Sequence, residues 1–242
     1  DYLLVTHAHT DHIGRIPKLV HDGFNGKILS TPATKDLSRV MLEDTANILS
    51  NSESGKQYDL ENIYSERIVH HTFSLWDTVE LHKNHELGKG FSFYLKDAGH
   101  ILGSSMFEIS YNGKKIVFTG DLGNSPSPLL RDTEFIENAD YVVMESVYGN
   151  RNHEERSERR ENLKKIILEN YKNKGTLVVP IFSLERTQEF LYEINEMVEA
   201  GEVPSHPIFV DSPLAIKVTE VFYRHKNLFK DSVLQDISSG DD

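Results

Sequence analysis

The stretch Thr6-His-Ala-His-Thr-Asp-His-Ile-Gly14 follows directly on the apolar run Tyr2-Leu3-Leu4-Val5 and places three histidines and one aspartate within six residues. The apolar run reads as a buried strand, and Asp11 as the start of a helix carrying Ile13, Ile16, Leu19 and Val20 at helical spacing. The cluster therefore falls in a strand-to-helix loop. On an extended backbone His7 and His9 point the same way, whereas Asp11 and His12 begin the helix and face a neighbouring position. This arrangement suits two adjacent metal ions better than one. Zinc accepts imidazole nitrogen and carboxylate oxygen, and two-metal centres for phosphate chemistry hold their ions about 3.5–4 Å apart. A histidine-rich surface turn is the plain alternative, which this density of ligating residues behind a buried strand disfavours.

The rest of the composition narrows the chemistry. At 242 residues with 38% hydrophobic content, the chain can bury one large core or two smaller ones. Apolar runs are only a few residues long, far short of the roughly 20 that a membrane-spanning helix needs. The expected compartment is the cytoplasm, or the nucleus in a eukaryote. Cysteine is absent, so disulfides and thiolate ligands are excluded, and a metal must be held by the 12 histidines and 38 acidic residues. A net charge of −12 argues against an unspecialised polyanion binder but not against a nuclease, whose acidic ligands are neutralised by bound cations. Asp1 leads straight into a strand and the terminal SSGDD reads as loop, so an ordered piece of a longer protein is expected.

Further strand-then-helix units follow. A short strand at Lys27–Leu29 precedes a helix opened by Pro32, with Leu37, Val40, Met41 and Ile48 on one face. From Phe91 the apolar period becomes two, and Asn112-Gly113 between apolar runs predicts a hairpin. A buried strand at 141–144 leads into Glu145. Beyond Gly149 come a charged helix with Leu163, Ile166, Ile167 and Tyr171 on one face, a strand at 176–179, a helix through Val198, a strand at 208–210 and a helix after Pro213. The boundary is placed at Tyr148, giving domains 1–148 and 149–242. The mixed-sign charges of residues 154–165 read as a solvated face, and His153 as either a cap or a residue at the active-site margin.

A dinuclear centre needs more ligands than one loop holds. His100 in DAGHILGS and Asp121 in FTGDLG both sit in glycine-flanked turns after strands. Alone, His100 reads equally as a loop histidine and Asp121 more readily as a turn former. Their occurrence together with the first cluster makes both ligand candidates. At this point the sequence resembles the metallo-β-lactamase fold: THAHTDH is similar to its first histidine motif, Gly99-His100 to its next, and TGDL around Asp121 to its bridging aspartate. The fold class implied is α/β, a partial αββα-type sandwich followed by part of an α/β β-CASP domain.

The resemblance implies two zinc ions, one on His7, His9 and His100 and the other on Asp11 and His12, with Asp121 bridging. The final zinc histidine and a leaving-group histidine would lie beyond Asp242. The segment ADYVVMESVYGNRNHEERSERRENL resembles the entry to the β-CASP domain, and Glu145 falls on its first acidic motif. PIFSLERTQEFLYEINEM and IFVDSPLAIKVTEVF resemble later β-CASP segments of the pre-mRNA 3′-end-processing endonuclease and prokaryotic ribonucleases. One departure is Glu185, where that family usually has glycine, next to the candidate substrate-binding Arg186.

The resemblance implies a two-zinc ribonuclease acting on single-stranded RNA in processing or decay, in a homo-oligomer or an RNA-processing complex. Asp11 would accept the water proton, and Glu145 would orient the leaving-group histidine. A DNA nuclease of the repair branch and a non-catalytic scaffold subunit are the alternatives. The second-segment motifs favour the RNA branch, and every ligand position within reach is filled.

Overall fold

The computed structural model describes residues 1–58, 60–152 and 157–239. Chain order begins β1 (Tyr2–Leu4), α1 (Thr10–Ile13), α2 (Ile16–His21), β2 (Lys27–Ser30), α3 (Pro32–Asn51), α4 (Glu53–Gln57), α5 (Leu60–Ile63), α6 (Glu66–Ser74) and β3 (Trp76–Thr78). Strands β1, β2 and β3 form a parallel sheet in that order. Alternation along β2 sends Ile28 to one face and Leu29 to the other. Ile28, Val5 and Trp76 pack beneath the helices against Ile13, Ile16, Val20, Leu42, Val69 and Phe73. Trp76 is 1% exposed, stacks on Phe73 and donates its indole N–H to Ser30 Oγ at 2.9 Å.

The next strands, β4 (Asn84–Gly88), β5 (Phe91–Asp97), β6 (Ser105–Tyr111), β7 (Lys114–Phe118) and β8 (Tyr141–Val143), form a second sheet in sequence order. It is antiparallel until the final pair, β7 and β8, which is parallel. Asn112 and Gly113 both take positive φ at the β6–β7 turn, as the hairpin reading requires. Phe93, Leu95 and Phe107 meet Leu29 between the sheets. Helices, first sheet and second sheet are thus three successive layers of the expected sandwich, and both sheets send their polar strand-end loops toward the histidine cluster.

The remaining elements are α7 (Ser157–Lys172), α8 (Arg186–Glu199), α9 (Pro213–Arg224) and, after a 3-10 turn, α10 (Asp231–Ser239). Ser212 caps α9 by accepting the Ala215 N–H at 3.2 Å, with Pro213 in the first turn. Val218, Val221 and Phe222 of α9 pack with Ala33 and Leu37 of α3, while Ile167, Met197 and Val203 join α7 to α8. Asp36 of α3 adds a polar tie, 2.8 Å from His225 Nε2 and 3.5 Å from an Arg224 nitrogen.

Four sequence expectations are corrected. No ladder partner among the described residues pairs with 176–179 or 208–210, so neither is a strand, and Val178 and Phe209 stand 80% and 86% exposed. Apolar, β-branched composition cannot make a strand without a neighbour to share its hydrogen bonds. The 141–144 strand forms as β8 but is exposed, because it is the edge of its sheet. Likewise β1 is an edge strand and only half-buried, with Val5 just beyond it in the core. His153 and the start of the charged run, 154–156, lie outside the described residues; the helix is described from Ser157.

Candidate metal centre

The loop after β1 delivers His7 inward, where it is fully buried. Its Nδ1 lies 3.1 Å from Thr6 Oγ1, while Nε2 is buried without a hydrogen-bond partner among the described residues and lies 3.8 Å from Asp121 Oδ2. A buried polar nitrogen left unpaired is costly, and a metal ion is one partner that would satisfy it. His9 precedes α1 in extended conformation and brings Nδ1 to 3.1 Å from His100 Nε2. His100 Nε2 is also 3.7 Å from Asp121 Oδ2. The first turn of α1 supplies Asp11 and His12. His12 Nε2 lies 3.3 Å from Asp121 Oδ1 and 3.6 Å from Asp11 Oδ2.

Asp121 is therefore shared. One set of potential ligand atoms comprises His7, His9, His100 and Asp121, the other Asp11, His12 and Asp121, and within each set all atoms lie within 4.8 Å of one another. Both sets are nitrogen and oxygen donors of the kind zinc accepts, so the residues present fit the expected pair of ions. Burial lowers the His7 pKa to about 2, with the positive potential of His12, His100 and His9 adding to the effect. Burial also lowers His9 to about 4, helped by His100, and pushes His100 below the usual imidazole range. These rings consequently keep lone pairs available at neutral pH.

Two glycine-bearing turns place His100 and Asp121 together. Gly120 has φ 57°, and a Cβ there would sit 2.7 Å from the Thr6 side chain, so the Asp121 turn can close on the His7 strand only through glycine. Gly123 packs still closer: its Cβ would meet the Gly99 carbonyl at 1.8 Å. Glu145, just past β8, accepts the Leu122 N–H at 2.7 Å and so secures the turn carrying Asp121. Beneath the His100 turn, burial pushes the Asp97 carboxyl up to about 6; its Oδ1 accepts the Gly99 N–H at 2.8 Å, and the nearby Glu134 carboxylate adds to the rise.

A cavity of about 980 Å³ opens beside these groups, with His9, His100, Asp121, Glu145, Glu185 and Arg186 among its walls. Arg186 is exposed there and pairs with Glu189 at 2.9 Å. Sequence reading overlooked the hydroxyls that brace the site. Thr6 approaches His7, Ser104 Oγ accepts the His100 N–H at 3.0 Å, and Thr119 Oγ1 accepts the Glu145 N–H at 3.4 Å. Thr6, Ser104 and Thr119 lie within the quoted motifs, but such residues are too common in turns to signal a role.

A carboxylate shared between two histidine-bearing donor sets, at the strand ends of an α/β sandwich, makes a candidate metal centre. Residues 1–172 match the metallo-beta-lactamase superfamily and residues 187–239 the Beta-Casp domain; the chain belongs to the metallo-beta-lactamase superfamily, in the branch that carries a Beta-CASP domain. It is 31% identical over 241 residues to Endoribonuclease YSH1 of Kluyveromyces lactis, covering 96% of this chain and 31% of the relative. Ribonuclease TTHA0252 of Thermus thermophilus is 32% identical over 233 residues, covering 96% of this chain and 51% of the relative. Cleavage and polyadenylation specificity factor 73 of Drosophila melanogaster is 30% identical over 242 residues, covering 98% and 34% respectively. The chain thus spans between about a third and a half of these curated relatives. No helix among the described residues is long and apolar enough to cross a membrane.

Proposed function

We propose that this chain carries the metal centre of a zinc-dependent ribonuclease that hydrolyses phosphodiester bonds in single-stranded RNA. The observation that carries this reading is the sharing of Asp121 between the two donor sets at the wall of a cavity. The ribonuclease names of the relatives support RNA as substrate. His7, His9 and His100 would hold one zinc, Asp11 and His12 the other, with Asp121 between them.

The chemistry supplied by bound zinc is Lewis-acid activation of water and of a phosphoryl oxygen. The chain's own residues do the rest. Burial keeps the three histidines of the first set unprotonated, and the glycine-on-glycine contact of the His100 and Asp121 turns fixes their separation. Asp11, an exposed carboxylate in the first turn of α1, is the proposed acceptor of the proton from attacking water. Glu145 acts one step out. Its bond to Leu122 holds the Asp121 turn, and its proposed role in the reaction is to orient a leaving-group histidine. Arg186 would approach substrate phosphate by exchanging its Glu189 partner for it.

Residues 1–148 are proposed as the metal-binding domain and 149–242 as a lid that admits unpaired strands to the cavity. The test is cleavage by the full-length protein of matched RNA and DNA oligonucleotides, single-stranded and duplex, before and after chelation and zinc restoration. Zinc-restorable cutting of unpaired RNA is expected. Preferential cutting of DNA would overturn the substrate assignment, and equal cutting of blunt duplex would overturn the lid.

A further inference from the structure

Leu184, Glu185 and Arg186 form a tight γ-turn. Glu185 has φ 66° and ψ −54°, and the Arg186 N–H donates to the Leu184 carbonyl at 2.9 Å. This positive-φ form of the turn is rare and strained for a residue with a Cβ, whereas glycine enters the positive-φ half of the map without that steric penalty. The strain coincides with an unusual placement of charge chemistry. Glu185 is 4% exposed, and burial, followed by the nearby Glu189, pushes its carboxyl well above the ordinary range. Its Oε2 accepts the Leu102 N–H at 3.1 Å, and its Oε1 is buried without a hydrogen-bond partner among the described residues.

Leu102 lies two residues after His100, in the turn that presents this ligand candidate. The turn is held from other sides as well: the Thr31 and Thr34 hydroxyls donate to the Gly103 carbonyl at 2.7 and 2.8 Å, and Ser104 Oγ accepts the His100 N–H. Leu102 itself is fully buried, so removal of the Glu185 oxygen leaves its N–H without an acceptor. A glycine at 185 would relieve the turn but could not make this bond. Strain retained at a cavity wall is therefore accompanied by one specific contact, and that contact ends on the metal-centre turn.

We propose that Glu185 is a positioning residue for the metal centre: from the N-terminus of α8 its carboxyl clamps the His100 turn, coupling the second α/β segment to the geometry of the His7–His9–His100 set. This inference rests on the reading of that set as a metal site. Outer groups that fix a ligand's orientation change metal affinity by roughly 10–100-fold when removed.

The test uses the full-length protein and its Glu185→Ala, Glu185→Gly and Glu185→Gln variants. Zinc affinity is measured by competition with a chromophoric chelator, and ligand geometry by the visible spectrum of the cobalt-substituted protein. Ala and Gly are expected to bind one of the two metals about 10-fold more weakly, with an altered cobalt spectrum. Gln, whose amide oxygen can still accept the Leu102 N–H, should restore both. Gly separates strain from clamp: without metal it should melt no lower than Ala, while its zinc affinity is equally weak. Should Ala fail to fold, the Gly and Gln pair decides the matter alone. Wild-type affinity and spectrum in Gly would overturn the proposal, as would a Gln variant as impaired as Gly. Failure of the wild-type protein to bind zinc would instead refute the metal-site reading.

Discussion

Replacing His7 with glutamine should flatten the acid sensitivity of the metal-free protein by an amount the structure fixes. His7 is fully buried and its pKa is lowered to about 2, whereas an unfolded histidine titrates near 6.5. As pH falls below about 6.5 the unfolded chain takes up a proton that the native state refuses, so the His7 contribution to stability, fully present above that pH, declines. Integrated from pH 7 to pH 5, the loss is about 2 kcal/mol. The raw pH profile is a balance, because Asp97 and Glu185 have carboxyls raised by burial and gain protons on folding in acid. The difference between wild type and His7→Gln isolates the histidine. Urea unfolding of chelator-treated full-length protein, followed by fluorescence, should show the gap between the two narrowing or reversing by about 2 kcal/mol from pH 7 to pH 5 in favour of the variant. Trp76, the one tryptophan of this chain and buried against Phe73, reports on the same core. Parallel profiles would refute the reasoning, since they would mean that native His7 protonates as readily as an unfolded one.

Asp121→Ala should reduce zinc binding at both sites while His12→Ala leaves one equivalent, measured by metal analysis after dialysis; equal losses would contradict the shared carboxylate. Gly123→Ala places a Cβ 1.8 Å from the Gly99 carbonyl and should cost at least about 1–3 kcal/mol through forced separation of the two turns, read as a lowered melting temperature. Glu145→Gln keeps an oxygen for the Leu122 N–H, so zinc content and RNA affinity should persist while turnover falls sharply. Loss of zinc in that variant would contradict this role and mean that the Glu145 charge itself is needed to hold the metal centre.

The candidate ligands were legible because His7, His9, Asp11 and His12 crowd one strand end, and because His100 and Asp121 recur at equivalent positions after later strands. The hairpin at Asn112-Gly113 and the Pro32 helix were legible for local reasons, positive φ and a proline-tolerant first turn. Strands β3 and β4 were not read: Trp76–Thr78 is only three residues, and Asn84–Gly88 is largely polar. The strands expected at 176–179 and 208–210 failed in the opposite direction, since pairing is a property of two segments and the residues of one segment cannot report its partner. Glu185 stood out only as a substitution. Its γ-turn and its bond to Leu102 across 83 positions became visible only with both segments placed.

The most direct test is anomalous diffraction at the zinc edge from crystals of the full-length protein. Two peaks are expected about 3.5–4 Å apart, one against His7, His9 and His100, the other against Asp11 and His12, with Asp121 touching both. A single peak, or a pair in which Asp121 contacts only one ion, would contradict the shared-carboxylate centre.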